Sequence, residues 1–175
     1  MIYQLFIKNI FFAIGVLNIC HSSIMKKINN IYLEPTEKTP LVDFNHLSGD
    51  LILSGRSIPE NAAKVYEPLT EWTQEYIKDA CNITNFRLNL EYFNTATSIW
   101  VSKIIKSLCG IEKKESILFI HVYFNIEDFE SIEDIKDDII QFTNVLITND
   151  SLSVGYKIYG TDNDGKILKE AMIFI

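Results

Sequence analysis

The spot in this sequence best suited to chemistry is Asn94-Thr95, which separates the alternating run Phe86–Phe93 from a stretch with an apolar stripe at helical spacing. A hydroxyl at such a junction can accept an orphan backbone N–H and cap the helix. The same position suits a phosphate, which would meet backbone N–H groups and the positive end of the helix dipole. That attraction is typically worth about 0.3–1 kcal/mol, and up to ~2 in good geometry. A phosphate would also add roughly −1.5 to −2 charges to a surface that a partner reads. The residues alone leave both roles open, cap and phosphosite.

Other constellations carry less. The histidines are His21, His46 and His121, and no H-E-x-x-H, G-x-S-x-G or phosphate-cradling glycine loop accompanies them. His121 lies inside an apolar run and reads as a satisfied core or sheet-face histidine. Catalysis is not supported. Asp162-Asn163-Asp164-Gly165 looks calcium-like, but Lys166 stands where a ligand oxygen belongs, so it reads as a hairpin turn. Cys20, Cys81 and Cys109 are odd in number and widely spaced, which indicates neither a disulfide framework nor a zinc site. Cys81 and Cys109 read as small buried hydrophobes. No metal and no cofactor is implied.

Charge narrows the partners. The chain has 175 residues, 16 Lys+Arg against 23 Asp+Glu, and a formal net charge of −7. Its only arginines are Arg56 and Arg87, which argues against nucleic acid, since such binding needs clustered cations. The acidic stretch from Glu127 to Asp138 reads as a solvated helix face, or as a docking surface for a basic partner. Residues 1–24 stand apart. Ile10–Ile19 is too short to span a bilayer, which takes ~20 apolar residues. The segment reads as translated upstream sequence before a start at Met25, or as a signal peptide with Lys8 before its core. The expectation is a cytoplasmic protein with no membrane partner.

The elements that must position Asn94-Thr95 come from periodicity. Leu41–Phe44 and Leu51–Gly55 flank a polar loop and predict a β-hairpin. Ala62, Val65, Tyr66, Leu69, Trp72 and Tyr76 form a helical stripe, which Pro68 should kink or restart. Phe86–Phe93 predicts a strand with Phe86, Leu88, Leu90 and Tyr92 on one face. Trp100, Val101, Ile104, Ile105 and Leu108 predict a helix ending near Gly110. Ile117–Phe124 is too continuously apolar for a surface strand and belongs mid-sheet. Phe129, Ile132, Ile135 and Ile139 suggest a third helix, and Val145–Ile147 a short strand. Val154–Tyr159 and Ile167–Ile175 flank the Asp-Gly turn as a last hairpin. The fold class is therefore α/β (α+β), a single mixed sheet with about three packed helices and a C-terminal β-hairpin.

Several motifs occur together and in order. Thr39-Pro40 with Phe44 opens the series, followed by Gly55 and Ser57 with Pro59-Glu60-Asn61. Next come Tyr66, Pro68-Leu69, Trp72 and Tyr76, and then Leu90-Glu91-Tyr92-Phe93-Asn94-Thr95. In these the chain resembles the SiaC-type regulatory phosphoproteins, small bacterial cytoplasmic proteins of biofilm and signalling pathways, over roughly residues 31–149. The junction also resembles that of STAS-type anti-sigma-factor antagonists, so the expected sheet is STAS-like. The resemblance implies a regulatory protein that is not an enzyme and works by partner switching. A kinase of histidine-kinase ATPase type would phosphorylate Thr95, and a PP2C-type phosphatase would remove the phosphate. The unphosphorylated form would bind a diguanylate cyclase or other effector, linking the cycle to cyclic-di-GMP. Asn94, Thr97, Ser98, Glu60 and Asn61 are the expected partner-binding neighbours.

Departures from the family pattern are local. Ala96, Thr97 and Ile99 stand where two serines and a lysine are usual, and Thr97 and Ser98 are alternative acceptors. The expected division is residues 1–24 outside the fold, 26–149 as the regulatory domain, and 150–175 as a hairpin extension on the same domain. Two rivals remain: an adaptor that has lost phosphoregulation, and a secreted or envelope binding protein if the N-terminal segment is a true signal.

Overall fold

Alternation and helical stripes resolve, in a computed structural model describing residues 28–128 and 152–174, into seven strands and two α-helices among those residues. The strands are β1 (Ile31–Leu33), β2 (Leu41–Asn45), β3 (Asp50–Ser57), β4 (Ile83–Phe93), β5 (Ser116–Asn125), β6 (Leu152–Thr161) and β7 (Ile167–Phe174). The helices are α1 (Ala62–Tyr76) and α2 (Thr95–Leu108). All strands join one sheet in sequence order. Pairs β1–β2, β2–β3 and β6–β7 are antiparallel, whereas β3–β4, β4–β5 and β5–β6 are parallel. The expected third helix and the strand at Val145–Ile147 fall outside the described residues, as do residues 1–24 and most of the acidic stretch.

One face of the sheet carries the core. Val42, Phe44, Leu51, Leu53, Phe86, Leu88, Leu118, Ile120, Val154, Tyr156 and Ile158 alternate along five strands and are buried. Against them lie Tyr66, Leu69, Trp72 and Tyr76 of α1 and Val101, Ile104, Ile105 and Leu108 of α2. Parallel strands laid down successively in one direction, with right-handed crossovers, put both helices on the same face. There α1 and α2 also pack on each other. Phe44 wedges between Trp72 and Phe86, with ring centroids at 5.3 and 6.3 Å. β5 sits between β4 and β6, as its continuous apolar run requires.

Two expectations are corrected. Helix α1 does not restart at Pro68 but runs unbroken from Ala62 to Tyr76. Proline removes one N–H from the ladder, and the burial of Tyr66, Leu69, Trp72 and Thr73 around it holds the turn together. Tyr92 does not share the face of Phe86 and Leu88. Gly55 pairs with Leu90 and Arg56 with Tyr92, so Glu91 is an extra residue in β4. Such a bulge reverses the alternation beyond it and turns Tyr92 outward, where it is 61% exposed.

Candidate functional site at the N-terminus of α2

β4 ends at Phe93, and the chain turns at Asn94 directly into α2. Asn94 takes the extended geometry of an N-cap, and its Oδ1 accepts the Thr97 N–H at 2.9 Å. Its carbonyl accepts the Ser98 N–H at 3.1 Å, and its own N–H donates to Ser57 O at 3.2 Å. The capping hydroxyl considered for Thr95 is therefore replaced by the Asn94 carboxamide, because Thr95 is already the first helical residue. Thr95 is exposed, and its hydroxyl makes no hydrogen bond among the described residues. At this position the N–H groups of Thr95 and Ala96 have no carbonyl one turn earlier to bond.

Thr97 behaves differently. Expected on the docking surface and as an alternative acceptor, it is instead completely buried, which corrects both readings. Its Oγ1 donates to Ser57 O at 3.0 Å and lies 2.9 Å from Ser57 Oγ, which in turn lies 2.6 Å from Tyr66 Oη. Thr97 gives its proton to the Ser57 carbonyl, so Ser57 Oγ donates to Thr97 and Tyr66 donates to Ser57. Burial pushes the Tyr66 hydroxyl above its usual range against the two hydroxyl contacts, so it stays a donor. This chain of hydroxyls ties the end of β3, α1 and the first turn of α2 into one rigid seat for Thr95.

Large apolar residues close to Thr95 in the chain are left exposed. Tyr92, Phe93 and Ile99 are 61%, 39% and 54% exposed. Phe93 and Ser98 also line an apolar recess of about 50 Å³ between α2 and the sheet, with Leu90, Val101, Val122 and Tyr156. Ser98 is half-buried, and its hydroxyl donates to Asn94 O at 3.4 Å. Arg56 is exposed and faces Tyr92 across the bulge. Asn61 caps α1 by accepting the Lys64 N–H at 3.2 Å. Glu60 accepts a bond from Lys38, whose hydrogen bond and charge hold the Glu60 carboxyl below its ordinary range. The structure thus gathers Asn94, Thr95, Thr97 and Ser98 at one helix end beside Ser57. Glu60 and Asn61 lie further along the loop that leaves Ser57 and spend their side chains on partners of their own. Tyr92, Phe93, Ile99 and Arg56 were missed, and the one available signal was the run of apolar residues continuing past the strand face.

On the sheet face opposite α1 and α2, His121 is buried and fully engaged. Nε2 lies 3.0 Å from Asn85 Oδ1, and Nδ1 lies 3.2 Å from Arg87 Nη1 and 3.1 Å from Tyr159 Oη. Arg87 can only donate, so Nδ1 accepts and Nε2 carries the proton. Burial, followed by the charges of Arg87 and Lys157, lowers the His121 pKa to about 4. Asp50 closes the far side with a 3.2 Å ion pair to Arg87. Cys109 is buried, and burial pushes its thiol up to about 11. Cys81, expected buried, is half-exposed, because its Sγ turns to donate to His46 O at 3.3 Å. Among the described residues no three His, Cys, Asp or Glu side chains cluster to hold a metal, and no helix is long and apolar enough to cross a membrane.

The model of the SiaC family regulatory phosphoproteins matches residues 33–148, which include the whole junction. The chain belongs to the SiaC family. Solved structures agree in fold. SiaC of Pseudomonas aeruginosa in its apo form superposes with a TM-score of 0.56 at 16% identity, over 71% of this chain and 98% of that one. The SiaC in complex with the diguanylate cyclase SiaD, described as its activator, gives 0.57 at 17% identity, over 71% and 97%. An uncharacterized protein of Pseudomonas aeruginosa strain UCBPP-PA14 is 24% identical over 70 residues, 40% of this chain. The chain spans 56% of that relative's length. β6 and β7 lie beyond the residues that the SiaC family model matches.

Proposed function

We propose that this SiaC-family protein is a partner-switching regulator, without catalysis of its own, whose binding surface is centred on Thr95 and is turned off by phosphorylation there. The observation that carries the reading is an exposed, unbonded hydroxyl on the first residue of α2, with exposed Tyr92 and Phe93 just before it in the chain and exposed Ile99 one turn along the helix. Apolar side chains of this kind supply docking energy when they are covered. A phosphate in their midst would have to be desolvated for a partner to close over it. The partner taken from the resemblance and from the SiaD complex is a diguanylate cyclase, bound by the unphosphorylated form in the cytoplasm. A kinase of histidine-kinase ATPase type and a PP2C-type phosphatase would set the state of Thr95. Asn94 positions the acceptor, and Ser98 lies on the rim.

Switching a complex off ~100-fold takes about 2.7 kcal/mol. The test pairs phosphopeptide mass spectrometry of the native protein with binding of Thr95→Ala and Thr95→Asp variants to a diguanylate cyclase of the SiaD kind. The expected result is phosphate on Thr95, binding retained in Thr95→Ala, and binding weakened at least tenfold in Thr95→Asp. Equal binding by the two variants overturns the switch. It would favour the second reading, an adaptor without phosphoregulation, for which Ala96 and Ile99 in place of serine and lysine are the supporting observation.

A further inference from the structure

Gly49 O, just before β3, accepts the Asn85 N–H at 2.8 Å. Carried along the parallel ladder without a break, that register would give the Ser57 carbonyl to the Phe93 N–H. The extra residue Glu91 shifts the ladder by one, and Ser57 O meets the Asn94 N–H instead, at 3.2 Å. The same carbonyl accepts the Thr97 hydroxyl at 3.0 Å on its second lone pair. Both ends of the turn from Asn94 to Thr97 are thus pinned to one oxygen of β3. The bond from Thr97 N–H to Asn94 Oδ1 closes the turn on itself. Thr95 and Ala96, both exposed, lie between the pins.

We propose that Ser57, Thr97 and Tyr66 are positioning residues for Thr95, and that the bulge at Glu91 serves to bring the Ser57 carbonyl to the turn. The inference rests on the reading that the Thr95 surface binds the partner. All three side chains are completely buried. Burying bonded hydroxyls adds little net stability, because apolar groups of the same shape can serve a core nearly as well. What a fully bonded buried network supplies is a single geometry. Here its links cross three elements, from Thr97 of α2 to Ser57 of β3 at 2.9 Å and from Ser57 to Tyr66 of α1 at 2.6 Å. Helix ends are where structure frays first. This one is fastened to a neighbouring strand and, through it, to the middle of another helix. Tyr66 therefore acts on Thr95 through Ser57 and Thr97. A second buried hydroxyl pair, Tyr76 and Thr84 at 2.8 Å, sits at the opposite end of β4 and provides the internal control.

The experiment measures binding of full-chain variants to a diguanylate cyclase of the SiaD kind, at a temperature where circular dichroism shows each variant folded, together with amide hydrogen exchange. Thr97→Val is expected to weaken binding roughly 3- to 10-fold, the usual worth of one buried hydrogen bond. The Asn94 and Ser98 amides are expected to lose protection in the same variant. Thr97→Ser keeps the hydroxyl and is expected to restore both. Tyr66→Phe should act in the same direction, whereas Tyr76→Phe should leave binding unchanged. A Thr97→Val variant that binds like the wild type, or that protects Asn94 and Ser98 equally well, overturns the proposal. Equal weakening by Tyr76→Phe overturns it too, because the effect would then be one of general stability. A wild type that does not bind the cyclase sinks the underlying reading instead, and the exchange at Asn94 and Ser98 then decides the clamp on its own.

Discussion

Asn94 caps α2 with its carboxamide, which leaves the neighbouring Thr95 hydroxyl without a structural task. The division is measurable. Asn94→Ala removes the acceptor of the Thr97 N–H and should cost about 1 kcal/mol, the usual worth of an N-cap. Thr95→Ala touches no hydrogen bond and should change stability by less than about 0.5 kcal/mol in urea unfolding, as exposed substitutions do. A large loss from Thr95→Ala would mean that its hydroxyl is structural. His121 gives a prediction in pH. Its imidazole is neutral in the fold with a pKa near 4, against an ordinary 6.5 when unfolded. Below pH 6.5 the unfolded chain therefore binds a proton that the folded chain does not. Stability from this group is complete above pH 6.5 and is lost as pH falls toward 4, by up to roughly 3 kcal/mol. Unfolding at pH 7 and pH 4.5 should differ less in His121→Gln than in the wild type; an equal drop in both would assign the acid loss to the carboxylates. At this scale the sequence was half legible. Thr95 stood out by its place between two periodicities. Thr97, two residues on and of the same type, is buried, and nothing in residue type separates the two. What does is the helical turn that points Thr97 at Ser57.

The elements explain why the site is where it is. Parallel strands β3 and β4 end at the same side of the sheet, and each hands the chain to a helix whose N-terminus stays at that end. The C-terminal ends of parallel strands are the usual place for ligand and partner sites in such sheets. Tight entry into β3 depends on Gly49, which has φ +76° and where a Cβ would lie 2.5 Å from Ile83 O. Gly55, just before the bulge, has a similar φ of +87° but open space around it. Gly49→Ala should therefore cost well over 2 kcal/mol, since backbone must move, and Gly55→Ala only about 1–2 kcal/mol of backbone strain. Thermal unfolding of the pair checks this, and equal losses would remove the close approach as the cause. Hairpins and helices were readable here because each rests on a local period. The bulge at Glu91 was not, because one extra residue leaves the composition of β4 unchanged and shows only in the partner strand's register. It is the bulge that turns Tyr92 from the expected core face to an exposed one.

Across the whole molecule, β6 is the strand that decides whether the family-length segment can stand alone. It pairs with β5 along its full length and sends Val154, Tyr156 and Ile158 into the same core as α2. On the other face Tyr159 stacks on Tyr123 with ring centroids 4.6 Å apart and bonds His121, joining β6 to the Asp50–Arg87 pair on β3 and β4. The residues from β3 to β6 are therefore linked on both faces of the sheet. Removing residues 149–175 would expose an edge of β5 and strip three large side chains from the core, each worth about 1.5–3 kcal/mol when buried. Against a net stability of roughly 5–15 kcal/mol for a typical domain, that loss is most of what is available. A chain ending at Thr148 should lose its cooperative melting transition, while the full chain unfolds in a single step that takes β6 with it. Circular dichroism melting and amide hydrogen exchange of β5 and β6 read this directly. If the shortened chain still melts cooperatively, or if β6 amides exchange well before those of β5, the C-terminal strands are an accessory laid on a self-sufficient domain, and the core assigned to them here is wrong.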